Sequence, residues 1–397
     1  MKAGWKTVKL GEIALVGAGN SAPQDDADFS TDGPYFVRTS DVGEVKFGTV
    51  NSSNDRLSSK GAKGMRLWKA GTILIPKSGA STFVNHRVIL GLDAHVSSHL
   101  ATIQAEPTRC DGRYLLYYLS TVKAQDLIQD QSYPSLKLPE IAGIEIPLPP
   151  LAEQKRIVAL LDEAFAGIDE AKAKTEDILE RTQALFESHL QSIFSQRGHG
   201  WVERRLGELS RINYGYTESA SSEKVGPHFL RITDIQDDGV DWNTVPYCPI
   251  DKGDLPKYKL TDGDIVFART GATTGKSYLV SNPPDSVFAS YLIRVQLSDK
   301  ALIPGFLYLF FQTRSYWDVI RAGVSGSAQG GFNASKLGEL TIPYPASLND
   351  QKAVIHSIAE IQADTLKAGK LSNRKLQALG ELRESLLTQA FAGELTA

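Results

Sequence analysis

Cysteine is scarce in this chain, and no one sign of charge dominates. Its 397 residues include two cysteines, Cys110 and Cys248, single and far apart. That excludes a disulfide framework and fits a reducing interior. Lys and Arg number 43 against 46 Asp and Glu, a net charge of −3, so the basic excess usual in a free-standing nucleic-acid binder is missing. A DNA reader can still be acidic overall where its basic groups share one face or partner chains supply phosphate contacts. No run approaches the roughly 18 apolar residues of a membrane span, and Met1-Lys2-Ala3-Gly4-Trp5 has no apolar signal core. A cytoplasmic protein is expected. The 34 glycines and 18 prolines predict many turns and short strands.

What the chain does have is a repeat. Trp5-Lys6-Thr7-Val8-Lys9-Leu10-Gly11-Glu12-Ile13 returns roughly 196 residues later as Trp201-Val202-Glu203-Arg204-Arg205-Leu206-Gly207-Glu208-Leu209. Gly19 falls on Gly215, Tyr35 to Val42 on His228 to Ile235, and Gly71 to Ala80 on Gly263 to Ala272. The aromatic-rich segment Tyr114 to Leu119 faces Phe306 to Phe311, and Ile146-Pro147-Leu148-Pro149 faces Ile342-Pro343-Tyr344-Pro345. Landmarks in one order at a nearly constant offset establish a duplication.

Each half mixes β-type runs (Gly71 to Ile75, Ser98 to Gln104, Asp264 to Ala268, Leu292 to Leu297) with Gly-rich turns and one or two helices. A proline block then stops regular structure, and a long helix follows. In the first helix Ile157, Leu161, Ala164, Ile168, Ala171, Thr175, Ile178, Thr182 and Leu185 recur at spacings of four and three. Val158, Phe165, Leu179, Phe186 and Ile193 widen that stripe. The second opens on a capping box, Ser347-Leu348-Asn349-Asp350, and runs Val354, Ile358, Ile361, Thr365, Ala368, Ser372, Lys375, Leu379, Leu382 and Leu386. Heptads sustained this long predict a coiled-coil seam. Some 45 helical residues span roughly 65 Å, and neither helix buries its stripe alone. The expected fold class is α+β: two homologous mixed α/β domains, 1–150 and 197–346, separated by two long helices, 151–196 and 347–397. The helices form an antiparallel coiled coil, and the whole is a pseudo-two-fold repeat.

Globular domain, Ile146 through Lys155 with Arg156-Ile157-Val158, heptad helix, then the whole again: this arrangement resembles the specificity subunit of type I restriction-modification systems. The resemblance covers essentially the entire chain, with a weaker second signature from Ile342 to Val354. It implies that the globular parts are target recognition domains, each reading one half of a split double-stranded DNA site. It implies that the helices set the gap and dock two methyltransferase subunits that carry S-adenosylmethionine and methylate adenine. It implies further that restriction subunits complete the nuclease, and that this chain itself is expected to hold no cofactor, metal or catalytic centre. Leu151, Glu153, Gln154, Arg156, Gln351 and Lys352 are the docking residues so implied. The second copy, Pro345 to Gln351, has an extra residue and lacks Ala-Glu-Gln, which puts equal docking of two partners in doubt.

Candidate DNA contacts follow the repeated loops. Arg269, Thr270, Thr273, Thr274 and Lys276 come after a strand, among glycines that let a backbone approach closely; Arg269 has the fork to grip a guanine edge. The matching loop offers Lys77, Ser78, Ser81, Thr82, Asn85 and Arg87. A solvated hairpin turn is the bland alternative. Arg38 and Arg231, in Arg-x-(Ser/Thr)-Asp, are also candidates, although an ion pair holding the domain suits them slightly better.

Several enzyme-like strings fail on inspection. Gly271 to Ser277 has three residues, not four, between its glycines and is no phosphate-binding loop. Asn282-Pro283-Pro284-Asp285 ends on Asp285, which cannot stack on a flipped base; it reads as a turn. Asp93, His95 and His99 lie on a turn and strand, without helical ligand spacing. Glu44-Val45-Lys46 reads as a hairpin edge. Tyr114, Tyr117, Tyr118, Phe306, Phe310 and Phe311 sit at helical spacing among leucines and read as core. Two rival readings remain: a self-sufficient DNA methyltransferase or nuclease, and a coiled-coil adaptor that never touches DNA.

Overall fold

A computed structural model of the chain describes residues 4–128, 134–236, 239–325 and 331–395; Met1 to Ala3 of the N-terminal reading lie outside them. The chain divides into two compact units, Met1–Thr175 with Arg374–Ala397, and Glu176–Asn373.

The first unit is built on a five-stranded sheet in the order Ala14–Ala18, Leu100–Ala105, Ile73–Pro76, Arg87–Leu90, Phe47–Val50. All neighbours are antiparallel except the last pair. Central strand Ile73–Pro76 is buried on both faces, which explains its unbroken apolar run. Its period-2 alternation splits the core: Ile73 and Ile75 pack with the aromatic helix Gly112–Thr121, Leu74 with Trp68 and Val88 on the opposite face. A short parallel ladder, Tyr35–Val37 with Ala94–Val96, lies beside it.

The second unit repeats this frame with four strands, Ser210–Tyr214, Leu292–Leu297, Ile265–Ala268 and Ser277–Leu279. Ile265 and Phe267 pack toward the helix Pro304–Phe310, Val266 and Ala268 away from it. Its parallel ladder joins His228–Leu230 to Ser286–Phe288. The predicted aromatic core holds: Tyr114, Tyr117, Phe306, Phe310 and Phe311 are all buried, whereas Tyr118 is half-buried and packs against it.

The proline blocks do not stop regular structure. Glu145–Leu148 pairs antiparallel with Lys6–Lys9, and Thr341–Pro345 with Trp201–Arg205, each as a two-stranded sheet. Edge pairing tolerates proline because the missing N–H faces away from the partner strand. Each domain is thereby closed by stitching its first strand to its last.

The long helices span Leu151–Ser195 and Leu348–Ala392, 45 residues each, and each contributes to both units. In the first unit, Ile157, Leu161, Phe165 and Ile168 share a core with Leu379, Leu386 and Phe391. In the second, Phe186, Leu190 and Phe194 share one with Val354, Ile358 and Ile361. Within each unit an early segment of one helix meets a late segment of the other, so the pair is antiparallel. The heptad register does not persist. Ile178, Leu185 and Leu382, assigned to the seam, are exposed. A straight helix drifts by ~20° per heptad against a 3.5-residue repeat, which carries burial over to Phe186, Leu190 and Phe194. Ser347 Oγ accepts the Asp350 amide at 3.3 Å, the expected cap.

Candidate nucleic-acid interface

The loop after each central strand is held by the same backbone bonds in both units. Lys77 N–H donates to His99 O at 2.9 Å, and Arg269 N–H to Tyr291 O at 3.2 Å. On the other side, Ser78 bridges to Ser135 and Thr270 to Gly331. Nearby, Gly19 N–H meets Leu100 O and Gly215 N–H meets Leu292 O at 3.2 and 3.1 Å. A Cβ on Gly19 would lie 2.0 Å from Val96 O, and one on Gly215 2.2 Å from Ala289 O. Only glycine permits this approach, which explains why the repeat keeps it.

On this shared frame the side chains differ. In the second unit the loop is a tight hairpin: Ala268 N–H donates to Lys276 O and Gly275 N–H to Ala268 O, at 2.8 and 2.9 Å. Thr270 is half-buried, Thr273 is exposed and Lys276 is half-buried. Thr274 is buried, with its hydroxyl donating to Gly271 O, so it shapes the turn and has no face for a ligand. Arg269 lies with its guanidinium 4.9 Å from the Tyr214 ring centroid, and its buried Nε makes no hydrogen bond among the described residues. In the first unit the chain instead forms a short 3-10 helix, Ala80–Val84. Ser78 Oγ lies 2.7 Å from His99 Nδ1, and Ser81 Oγ donates to Ser78 O. Lys77 is half-buried. Asn85, at φ 55°, accepts the Ala124 amide through Oδ1 and donates to Phe83 O and Gln125. It staples the loop to the next segment.

Two candidates in this loop are corrected. Thr82 is fully buried. Arg87 is 2% exposed, and its guanidinium donates to Leu119 O, His86 O and Val122 O. Burial pulls its pKa down to about 10. It ties a strand to the end of the aromatic helix and cannot reach DNA. Arg38 and Arg231 both make ion pairs, but not the same one. Arg231 forks onto Asp234 at 3.0 and 2.7 Å, whereas Arg38 pairs with Asp55 while Asp41 accepts its backbone amide. Each stays partly exposed.

The residues missed are His99 and Tyr291. Both are exposed, Tyr291 by 62%, and both stand beside the loop at equivalent backbone positions. Their alignment in the repeat was the available signal. The supposed metal group is dispersed: Asp93 binds Lys69 and Ala70 N–H, His95 bonds Arg66 O, and His99 bonds Ser78. Glu44 and Val45 end the helix Thr39–Val45 and form no hairpin edge. Asn282, at φ 45°, lies in a connecting loop, as expected.

At the helix starts, Gln154 and Gln351 are fully buried. Gln154 accepts the Asp111 amide at 2.8 Å and donates to Arg109 O and Pro149 O at 3.0 and 2.9 Å. Gln351 accepts the Ile303 amide and donates to Ala301 O and Pro345 O at 2.9, 2.7 and 2.8 Å. The same three-bond clamp joins each long helix to the start of its own domain's aromatic helix. These two glutamines therefore do not present themselves to a partner. Arg156 forks onto Glu153 and donates to Leu395 O; Leu151 is half-buried and Lys352 exposed.

The family model for the type I restriction modification DNA specificity domain matches this chain twice, over residues 2–181 and 198–379. The chain belongs to that family. It is 28% identical over 274 residues to the type I restriction enzyme EcoKI specificity subunit of Escherichia coli (strain K12), covering 64% of this chain and 58% of that one. With the EcoBI specificity subunit of Escherichia coli it shares 23% over 337 residues, 77% of this chain and 70% of the other. The EcoKI match thus spans less than two thirds of that relative's length. Among solved structures the fold is similar to a chain from work on complex assembly and conformational transition of the type I R-M system. There the identity is 19% and the TM-score 0.81, over 100% of this chain and 99% of that one. It is also similar to the HsdS subunit from Thermoanaerobacter tengcongensis, at 19% identity and TM-score 0.57, over 100% and 98%.

Proposed function

We propose that this chain is the sequence-reading subunit of a type I restriction-modification complex, each domain recognising one part of a bipartite double-stranded DNA site. The carrying observation is the pair of loops: one backbone frame, fixed by matched hydrogen bonds, presents Lys77, Ser78 and His99 in one unit and Arg269, Thr270 and Tyr291 in the other. A shared scaffold with divergent exposed side chains suits two readers of different half-sites. The antiparallel helices provide the ruler, because half-site spacing follows protein geometry. The chain acts in the cytoplasm without a catalytic centre. Methyltransferase subunits docked on it carry S-adenosylmethionine and methylate adenine, and restriction subunits join them for cleavage.

The test is to express the chain with its cognate methyltransferase and sequence the genomic DNA for N6-methyladenine. A split motif with unspecified bases between its two parts is expected. Exchanging residues 201–340 for another recognition domain changes one part only, and adding helical turns near Thr175 to Thr182 changes the gap only. S-adenosylmethionine bound by the isolated chain, or methylation indifferent to the exchange, refutes the reading.

A further inference from the structure

We propose that Tyr214 is a positioning residue for base recognition in the second unit, its ring holding the Arg269 guanidinium with the fork presented to the major-groove edge of a guanine. The proposal deepens the recognition role above and rests on it. In the sheet Tyr214 pairs with Ile293, and Phe267 pairs with Ile293 from the other side. Alternation along each strand then sets Tyr214, Arg269 and Tyr291 at one end of the face whose buried part is Ile265, Phe267, Ile293 and Val295. That end opens to solvent: Tyr214 is 40% and Tyr291 62% exposed.

The arrangement restricts an otherwise flexible cation. The Arg269 main chain is held on both sides, its N–H by Tyr291 O at 3.2 Å and its C=O by the Phe332 N–H at 2.9 Å. Its guanidinium carbon lies 4.9 Å from the centroid of the Tyr214 ring, inside the ~6 Å reach of a cation–π contact. The ring is fixed in turn, because its hydroxyl accepts the Ala334 N–H at 3.1 Å where the helix Ala334–Gly338 begins. Arg269 makes no side-chain hydrogen bond or ion pair among the described residues, and its Nε is buried. The ring therefore sets the guanidinium without consuming its donors, and the two Nη groups form the end of the fork. Guanine offers N7 and O6 side by side to such a fork. A phosphate accepts a cation from many directions and gains little from a fixed plane. The first unit supplies the contrast: Lys77 stands at the register position of Arg269 and Ala18 at that of Tyr214. An ammonium is a point charge with no plane to hold, and the ring that would hold one is missing with it.

The full chain, purified with its methyltransferase partner, is titrated with a duplex carrying its site and with duplexes in which each guanine of that site is replaced in turn by 7-deazaguanine, which lacks the N7 acceptor and keeps its pairing. At one guanine the wild type loses about 2- to 12-fold in affinity, half the free energy of a bidentate contact, and Arg269→Ala loses nothing there. Tyr214→Leu, which fills the space without a π face, shrinks that penalty to under about 2-fold and adds nothing to Arg269→Ala; Tyr214→Phe retains it. Arg269→Lys keeps the charge and the ring but abolishes the penalty, so the outcome does not hang on one variant. Three results overturn the proposal: no guanine whose penalty depends on Arg269, a penalty unchanged in Tyr214→Leu or lost in Tyr214→Phe, or equal weakening of every duplex by Arg269→Ala, which assigns the arginine to phosphate. A wild type that binds its site and a scrambled duplex equally refutes the recognition role itself, and this proposal with it.

Discussion

Replacing Gln154 with leucine tests the clamp that seats the central helix on its domain. Leucine fills nearly the same space but strands the Asp111 amide and the carbonyls of Arg109 and Pro149, which Gln154 holds at 2.8, 3.0 and 2.9 Å. An orphaned buried N–H costs about 1–3 kcal/mol, and carbonyls, with two lone pairs, suffer less. Asp111 also caps the aromatic helix through the amides of Arg113 and Tyr114, so its displacement spreads. After credit for the leucine's own burial, a net loss of about 3 kcal/mol is expected, equivalent to about 6–12 °C in Tm for a unit of this size. Urea unfolding gives the total, and amide hydrogen exchange gives the location: Asp111 loses protection while Ile303, clamped by Gln351, keeps it. Gln351→Leu reverses that pattern. Exposed Lys352→Ala stays within about 0.5 kcal/mol. Should Gln154→Leu leave the urea midpoint unchanged while abolishing methyltransferase binding, the clamp argument is wrong and the glutamine is a docking residue after all.

Gly369→Ala stabilises the second unit by about 1 kcal/mol, since the added Cβ would rest 3.7 Å from Leu179 Cδ1 in ordinary contact; a lower midpoint in urea would contradict this. Gly275→Ala acts in the opposite direction. At φ +100° its Cβ would lie 2.7 Å from the Trp317 ring and 2.8 Å from Ile320, so strain of about 1–3 kcal/mol and a changed Trp fluorescence are expected. Arg269→Ala weakens one half-site by about 1–3 kcal/mol and relaxes its base preference if the guanidinium grips a guanine. An equal loss on every sequence, measured by competition binding, would instead assign it to phosphate.

Periodicity and repetition made the architecture legible: the strands around Ile73 and Ile265, both aromatic helices and both long helices follow from local pattern. What failed depended on long-range partners. Pro147 and Pro343 read as stops because proline cannot donate to a ladder, yet on a two-stranded edge no donor is missed. Arg87 and Thr82 read as surface because their types usually are. Only the fold reveals that the carbonyls of Leu119 and Val122 converge on Arg87. Gln154 and Gln351 read as partner contacts because the motif that holds them suggested one. Their repetition after the proline block in both halves, five residues past Pro149 and six past Pro345, fits an internal duty equally well.

The duplicated frame also separates what the fold requires from what is free to diverge. Thr102 faces Leu74 across the first sheet, and Arg294 faces Val266 at the equivalent register of the second. The pair preceding the central strands changes with them, Thr72 in one unit and Asp264 in the other. Arg294 is buried 3.7 Å from Asp264 and holds the carbonyls of Lys257 and Lys259 at 3.1 and 2.7 Å; the buried Thr102 hydroxyl has no such bond among the described residues. A buried charge is tolerable only with its partner, so these two positions had to change together. A single step, Arg294→Thr, leaves the buried Asp264 without this guanidinium, though its carboxylate still accepts hydrogen bonds from Thr261 and Gln296; it is expected to cost more than the double change Arg294→Thr with Asp264→Thr, and a double-mutant cycle reads the difference directly. Divergence inside the core is thus constrained in pairs. The exposed positions 99 and 291 lie outside any such buried ion pair, so the fold leaves them open to differ between the two domains.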